Sequence, residues 1–241
     1  MPDRTYDGGD LEALANMPHY YGWIMSWFTP YVRGRVVEYG AGTGTISQYL
    51  RPLSCRLTLI EPSVHQHAEL HAKFSGDPSV EIGALTVEEH VSLLETDAMD
   101  TVVLVNVLEH IEDDRKVLGE LARIVAPGGY ILIFVPALSV LMSKLDTLLG
   151  HFRRYKRFEL HTKLETAGFE VVVCRYFDLP GVVPWFVLNK LLASTSFNPL
   201  LLRLYDQLVV RMARGLEAVI APPFGKNLVA IGRRPETLRN S

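Results

Sequence analysis

The chain has 241 residues, a length that suits one domain with embellishments better than two. Hydrophobic residues make up 48% and charged residues 21%, and the net charge is −3, so the balance is that of an ordinary globular protein and makes no global case for nucleic acid. No window reaches the ~18 uninterrupted apolar residues of a membrane span. The start, Met1-Pro2-Asp3-Arg4, lacks the basic region and apolar run of a signal peptide, so a cytoplasmic protein is expected. Cys55 and Cys174 have no CxxC or histidine neighbours and read as buried free thiols rather than a disulfide or zinc site.

Residues 1–16 are polar and read as frayed. Residues 18–30 carry His19, Tyr20, Tyr21, Trp23, Trp27 and Phe28 and read as a short covering helix. From Arg35 strands and helices alternate. Strands are expected at Arg35–Tyr39, Arg56–Ile60, Val80–Ile82, Asp100–Val105, Tyr130–Val135, Phe169–Cys174 and Leu228–Gly232. Helices are expected from Thr45–Leu50, at Val64–Phe74, at Asp113–Val125, where Val117, Leu118, Leu121, Ile124 and Val125 share a face, and at Phe158–Ala167. Pro127-Gly128-Gly129 reads as the stop of the third of these helices.

This rhythm predicts an α/β, Rossmann-like fold: a mostly parallel seven-stranded sheet with helices on both faces. Asp178–Pro223 breaks the rhythm and reads as an apolar helical insertion before the last strand. Within it Leu201, Leu204, Tyr205, Leu208 and Met212 fall on one side of a helix, with Arg203, Arg211 and Arg214 elsewhere. The expected layout of the single domain is a helical cover (1–34), a cofactor-binding core (35–177), the insertion (178–223), and a last strand with tail (224–241).

The segment Glu38-Tyr39-Gly40-Ala41-Gly42-Thr43-Gly44 follows a strand and opens a helix. Glycines there let backbone approach a ligand closely, and the helix start offers N–H groups to an anion. A nucleotide-like ligand at the carboxyl ends of the strands is expected. The dinucleotide fingerprint G-x-G-x-x-G does not fit, because the third glycine falls one place early. An acid, Glu38, precedes the first glycine by two, and a second, Glu61, ends the second strand, where a carboxylate can accept from both ribose hydroxyls.

Val36 to Gly44 resembles motif I of the class I S-adenosylmethionine-dependent methyltransferases. Asn106-Val107-Leu108-Glu109-His110-Ile111 resembles their segment after the fourth strand, and Arg123 to Tyr130 their turn before the fifth. Gly150-His151-Phe152-Arg153-Arg154-Tyr155, followed by Leu164-Glu165-Thr166-Ala167-Gly168-Phe169, resembles a bacterial subgroup with a G-H-x-R-R-Y block, as does the lead-in Tyr20-Tyr21-Gly22-Trp23. The resemblance runs from about residue 18 to the end. It implies S-adenosylmethionine as cofactor and S-adenosylhomocysteine as product. It further implies that Glu38, Gly40, Ala41, Gly42 and Gly44 line the cofactor, that Glu61 and Pro62 meet the ribose, that Asn106, Val107 and Leu108 lie beside the methionine part, and that Tyr20 and Trp23 close over the site. Many relatives carry an acid after the third strand for the adenine amino group. Here Gly83-Ala84-Leu85-Thr86 has none, which leaves adenine to Ala84, Leu85 and backbone atoms.

Methyl transfer from a sulfonium asks mainly for acceptor positioning and exclusion of water, with a proton removed where the acceptor requires it. His110, His151, Tyr155 and Tyr21 are the candidate catalytic groups, and His110 reads equally as a base or as a residue fixing its loop. Arg153 and Arg154 read as an anion grip in preference to a solvated basic face. Tyr20 and Trp185 read as walls of an apolar acceptor pocket, against ordinary core packing. His67 and His71 read as a solvated helix face, and no metal ligand set is expected. Together these suggest direct methyl transfer to a small acceptor with an apolar body and an anionic group, such as a prenyl diphosphate, another isoprenoid, or a lipid-linked or polyketide-type intermediate. The insertion reads as acceptor pocket, dimer interface of a homodimer, or interfacial membrane contact of a monomer. A nicotinamide oxidoreductase and a non-catalytic partner protein are the alternatives.

Overall fold

The computed structural model describes residues 17–195 and 198–236. The readings for residues 1–16 and for the tail beyond 236 fall outside them. The strands are β1 (Arg35–Tyr39), β2 (Arg56–Ile60), β3 (Val80–Gly83), β4 (Met99–Val105), β5 (Val125–Pro136), β6 (Glu170–Phe177) and β7 (Asn227–Arg233). They form one sheet in the order β3-β2-β1-β4-β5-β7-β6. All neighbouring pairs up to β5 are parallel, and β7 inserts antiparallel between β5 and β6. The fold is therefore the expected mixed α/β sheet with a C-terminal antiparallel hairpin.

The sheet forms because its central strands are apolar on both faces. Val102, Val103 and Leu104 of β4 and Ile131, Leu132 and Ile133 of β5 are fully buried. Each such side chain stabilises by about 1.5–3 kcal/mol when taken out of water. One face is covered by α4 (Val87–Leu93), α5 (Asp114–Ile124) and α7 (Arg157–Thr166), whose Val117, Leu118, Leu121, Leu160 and Leu164 pack on it. The other is covered by α1 (Pro18–Phe28), α2 (Ser47–Leu50) and α3 (Val64–Phe74).

Several boundaries differ from the sequence reading by a few residues, β6 running on to Phe177 among them, and the junction of α5 and β5 differs most. α5 ends at Ile124 and the chain passes directly into β5, so Pro127-Gly128-Gly129 lies inside the strand rather than stopping the helix. The pairing with β4 slips there, between Met99 and Thr101, which absorbs the proline and glycines. The cysteines also differ: Cys55 is exposed, and Cys174 is half-buried with its thiol on the Arg157 carbonyl.

The insertion leaves β6 and returns to β7 at the carboxyl edge of the parallel strands, since Phe177 pairs with Asn227 and Asn227 with Pro136. It comprises α8 (Val182–Trp185), π-helical turns Phe186–Leu191, α9 (Pro199–Leu204), further π-helical turns Tyr205–Val210, and α10 (Arg211–Val219). Two of its carboxylates face inward. The buried Asp206 carboxylate accepts from the His19 and Tyr20 amides at 3.2 and 2.8 Å, capping the start of α1, where Met17 supplies no side-chain cap. The buried Glu217 accepts from the Asp178 and Leu179 amides. Most of the apolar row points outward: Leu201 is 55% exposed, Leu208 61% and Met212 70%, whereas Tyr205 turns inward and donates its hydroxyl to Asp178. No helix among the described residues is long and apolar enough to cross a membrane.

Candidate active site

The parallel register brings the carboxyl ends of β1, β2 and β4 together, with Tyr39 opposite both Ile60 and Leu104. The glycine loop leaves β1 there. Gly40, Gly42 and Gly44 all have positive φ, a conformation that side chains resist. At Gly40 a Cβ would lie 2.4 Å from Val107 Cγ2, and at Gly44 one would lie 2.6 Å from the Phe74 ring. The loop thus folds flat between the segment after β4 and helix α3. Ala41 is buried beneath it.

Two carboxylates sit below this loop. Glu38, 2% exposed, accepts from Ser47 Oγ at 2.6 Å. Burial pushes its carboxyl up to about 8 against that hydrogen bond, and Glu61 adds to the rise. Glu61, 5% exposed, accepts from the Gly42 and Ser63 amides at 2.8 Å each, and burial raises its pKa despite them. Pro62 and Ala84 are exposed and Leu85 is half-buried along the same edge. Asn106 leaves β4 with φ +54° and its amide bonded to the Phe134 carbonyl at 2.8 Å, which turns Val107 toward Gly40. Leu108 is fully buried in the turn that follows.

That turn, Leu108–His110, places Glu109 and His110 beside His151, which follows α6 (Lys144–Leu148). The His110 and His151 rings meet edge to face with centroids 4.6 Å apart. His110 keeps an exposed edge, while the packing around the rest of its ring and then the neighbouring His151 push its pKa down, so it is neutral near pH 7. His151 holds the Asp146 carboxylate through Nδ1 at 3.0 Å. Glu109 is fully buried, and burial pushes its carboxyl up to about 8.

Several expected site residues are engaged inside the protein. The Arg154 side chain is almost wholly buried and binds Asp146 through Nε and Nη2, both at 2.8 Å, with its guanidinium 4.6 Å from the Trp185 ring. Arg153 pairs with Asp114 at 2.8 Å and donates to the Glu112 carbonyl. The expected anion grip is therefore corrected: both cations neutralise the protein's own carboxylates, and a buried charge needs such a partner. The Tyr155 hydroxyl donates to Asp114 at 2.7 Å and lies 3.1 Å from the Leu108 carbonyl, and burial drives its pKa far up, so it braces the Leu108–His110 turn rather than moving protons.

The aromatic cover also differs in part. Trp23 is 2% exposed and lies on Phe177 with ring centroids 3.8 Å apart, a core position rather than a lid. Tyr20 is buried, and its hydroxyl donates to Asn227 at 3.1 Å and lies 3.4 Å from Asp178. Tyr21 is half-buried, with its hydroxyl pushed up to about 12 by burial. Trp185 is half-buried and donates to the Leu141 carbonyl. The sequence reading passed over Glu109, Asp146 and Ser47. Glu109 had a local signal as the neighbour of His110, and Asp146 one as the acid of a Ser-x-x-Asp capping box.

A family model described as a methyltransferase domain matches residues 24–173. The ubiquinone biosynthesis O-methyltransferase of Paracidovorax citrulli is 30% identical over 118 residues, covering 47% of this chain and 48% of that protein. A Mycolicibacterium smegmatis protein named as an S-adenosylmethionine-dependent methyltransferase is 30% identical over 142 residues, covering 56% of this chain and 52% of its own. The chain thus spans about half the length of these curated relatives. Among solved structures, the Haloferax volcanii complex between the Trm112 methyltransferase activator and a methyltransferase matches with a TM-score of 0.65 at 17% identity, over 95% of both chains.

Proposed function

We propose, from the premise that this chain belongs to the methyltransferase-domain family, that its acceptor is a small apolar molecule with one ionisable group, of the isoprenoid, lipid-linked or polyketide type. It is an S-adenosylmethionine-dependent methyltransferase. The site's chemistry fits that cofactor. Glu38 and Glu61 are buried carboxylates held above their ordinary pKa, and among the described residues their hydrogen bonds come from Ser47 and from the Gly42 and Ser63 amides rather than from a cation. S-adenosylmethionine brings an ammonium, a sulfonium and two ribose hydroxyls, which supply the missing positive charge and donors.

In this reading Glu38 holds the amino end and Glu61 the ribose. The backbone from Gly40 to Gly44 passes close beneath, and Asn106 and Val107 border the methionine part. The cofactor supplies an electrophilic methyl group. The chain's own task is to align the acceptor and keep water out.

The outward row of the insertion carries the acceptor assignment. Leu201, Leu204, Leu208, Met212 and Leu216 are each at least 45% exposed, on a segment whose two ends attach at the same sheet edge as the glycine loop. A continuous apolar face of this kind marks a binding surface. Arg203, Arg211 and Arg214 are exposed on the same segment, so the insertion suits contact with an anionic lipid surface in which such acceptors dissolve. The test is transfer of labelled methyl from S-adenosylmethionine into a panel of isoprenoid, phenolic and water-soluble acceptors, with and without anionic vesicles. Label entering apolar acceptors and rising with vesicles is the expected result. Label confined to the water-soluble acceptors overturns the assignment.

A further inference from the structure

We propose that Glu109, His110 and His151 bind a divalent cation of the zinc, cobalt or manganese type beside the cofactor loop. Each residue offers one ligand atom, and the three atoms lie within 4.8 Å of one another. Two of the ligands come from the turn after β4 and the third from the segment after α6, so the fold and not local sequence assembles the set.

The second observation is the state of Glu109. Its side chain is fully buried, yet neither carboxylate oxygen has a hydrogen-bond partner among the described residues. Burying such a group without partners is costly, and native structures seldom leave both oxygens bare. Its nearest ionic neighbour is His151 Nε2, at 4.0 Å. A cation between them satisfies both.

The third observation is how His151 is held. Its Nδ1 faces Asp146 Oδ1 at 3.0 Å, which leaves Nε2 for the site. Asp146 is itself fixed by Arg154 and by the Ser143 hydroxyl at 2.7 Å. A carboxylate orienting a histidine through its far nitrogen is the usual support of a metal-bound imidazole. Two imidazoles and a carboxylate suit a borderline divalent ion and leave coordination positions open.

Those positions have a use, and this step rests on the methyltransferase reading. Val107, against Gly40, is only two residues before Glu109, so the ion lies at the methionine end of the cofactor loop. An acceptor hydroxyl bound to the ion loses its proton to solvent at neutral pH. The oxygen lone pair then forms the O–CH3 bond, and the electron pair of the broken C–S bond returns to sulfur. The acceptor class is accordingly narrowed to hydroxyl-bearing apolar molecules.

The test is titration of chelator-treated full chain with cobalt(II), read by its visible absorption, and with zinc(II), read by calorimetry. One cation per chain is expected. Glu109→Gln and His151→Asn should weaken binding by on the order of tenfold or more, and Asp146→Asn by at least tenfold. His110→Asn alters a residue with an exposed edge, so it reports even where the buried variants fail to fold. His71→Ala, on α3 and outside the three-residue cluster, should leave binding unchanged. Absent cobalt bands in the wild type, or equal affinity in His110→Asn, overturn the proposal. S-adenosylhomocysteine calorimetry on the same samples separates the two readings: its loss from the wild type overturns the methyltransferase reading, whereas its retention without cation binding overturns only the cation site.

Discussion

Val107 occupies the space that a side chain on Gly40 would need: a Cβ there would approach Val107 Cγ2 to 2.4 Å. The cofactor loop and the turn that carries Glu109 and His110 are thus in direct contact. Gly40→Ala combines this clash with a φ of +66°, which alone costs an L-residue about 1–2 kcal/mol. The variant is expected to lose S-adenosylhomocysteine binding and to melt several degrees lower. Adding Val107→Ala removes the methyl in the way but not the dihedral strain, so the double variant should recover part of the melting temperature. No recovery would show that the contact between the two motifs is not the cause.

Glu61 has a structural duty besides its ribose role, because it accepts from the Gly42 and Ser63 amides. Charged hydrogen bonds of this kind contribute about 1.5–3 kcal/mol each. Glu61→Ala should weaken S-adenosylhomocysteine binding at least tenfold, and Glu61→Gln, which keeps one acceptor oxygen, by less. Calorimetry on both variants checks the order. Equal losses would assign the effect to the ribose contact alone.

Glu38 sets a pH dependence. Its folded-state pKa of about 8 stands above the ~4.3 of an unfolded glutamate, so the folded chain keeps a proton that the unfolded chain has released. Stability without cofactor should therefore fall as pH rises from about 4.3 to 8 and level off above. The cationic cofactor favours the ionised form, so its affinity should rise across the upper part of that range. In Glu38→Gln both slopes should flatten. Thermal melts and calorimetry at pH 6, 7 and 8.5 measure them.

Arg153 and Arg154 are adjacent in sequence but differ in what they hold. Arg154→Ala strips a buried carboxylate, Asp146, of its cation, and should cost about 3 kcal/mol. Arg153→Ala breaks a more exposed pair with Asp114, worth under about 1 kcal/mol. Neither change should raise the acceptor KM specifically. The Asp146 carboxyl is held down at about 2: burial raises it, but the His151, Arg154 and Ser143 contacts outweigh that. A depressed carboxyl stabilises above its unfolded value of about 3.9, and that stability is lost as pH falls through about 2. Acid unfolding of Arg154→Ala should accordingly begin at higher pH than that of the wild type.

The same pair shows where sequence reading stops. β1, β2 and α3 lie at their expected bounds because local signals end them: the glycine loop, Glu61-Pro62, and the hydrophobic period. An arginine run announces cations but not their partners, and Asp114 and Asp146 enter only through the fold. Glu109 likewise reads as one acid in a loop until burial and His151 give it a context. The start of β5 escaped because a Pro-Gly-Gly run signals a stop, and only the slipped pairing with β4 lets it stay in the sheet. α4 and α6 are too short for a clear hydrophobic period; the capping boxes Thr86–Glu89 and Ser143–Asp146 mark both starts.

The insertion carries the last prediction. Periodicity shows that one side of the helix is apolar, but not whether that side is covered. Here Val210 and Ala213 are buried beside the carboxylates Asp206 and Glu217, while Leu201, Leu204, Leu208 and Met212 are exposed. A face that merely decorates a stable helix tolerates polar replacement within about 0.5 kcal/mol. Leu201→Gln, Leu204→Gln and Leu208→Gln together should leave the melting temperature and S-adenosylhomocysteine binding near wild type. They should lower both turnover of apolar acceptors and cosedimentation with anionic vesicles severalfold. Val210→Ala, from the buried side, should do the reverse: cost about 1–2 kcal/mol of stability and leave vesicle binding intact. Unchanged turnover and vesicle binding in the triple variant would detach the outward leucines from acceptor recognition, and would leave their exposure to be explained by a surface between protein chains.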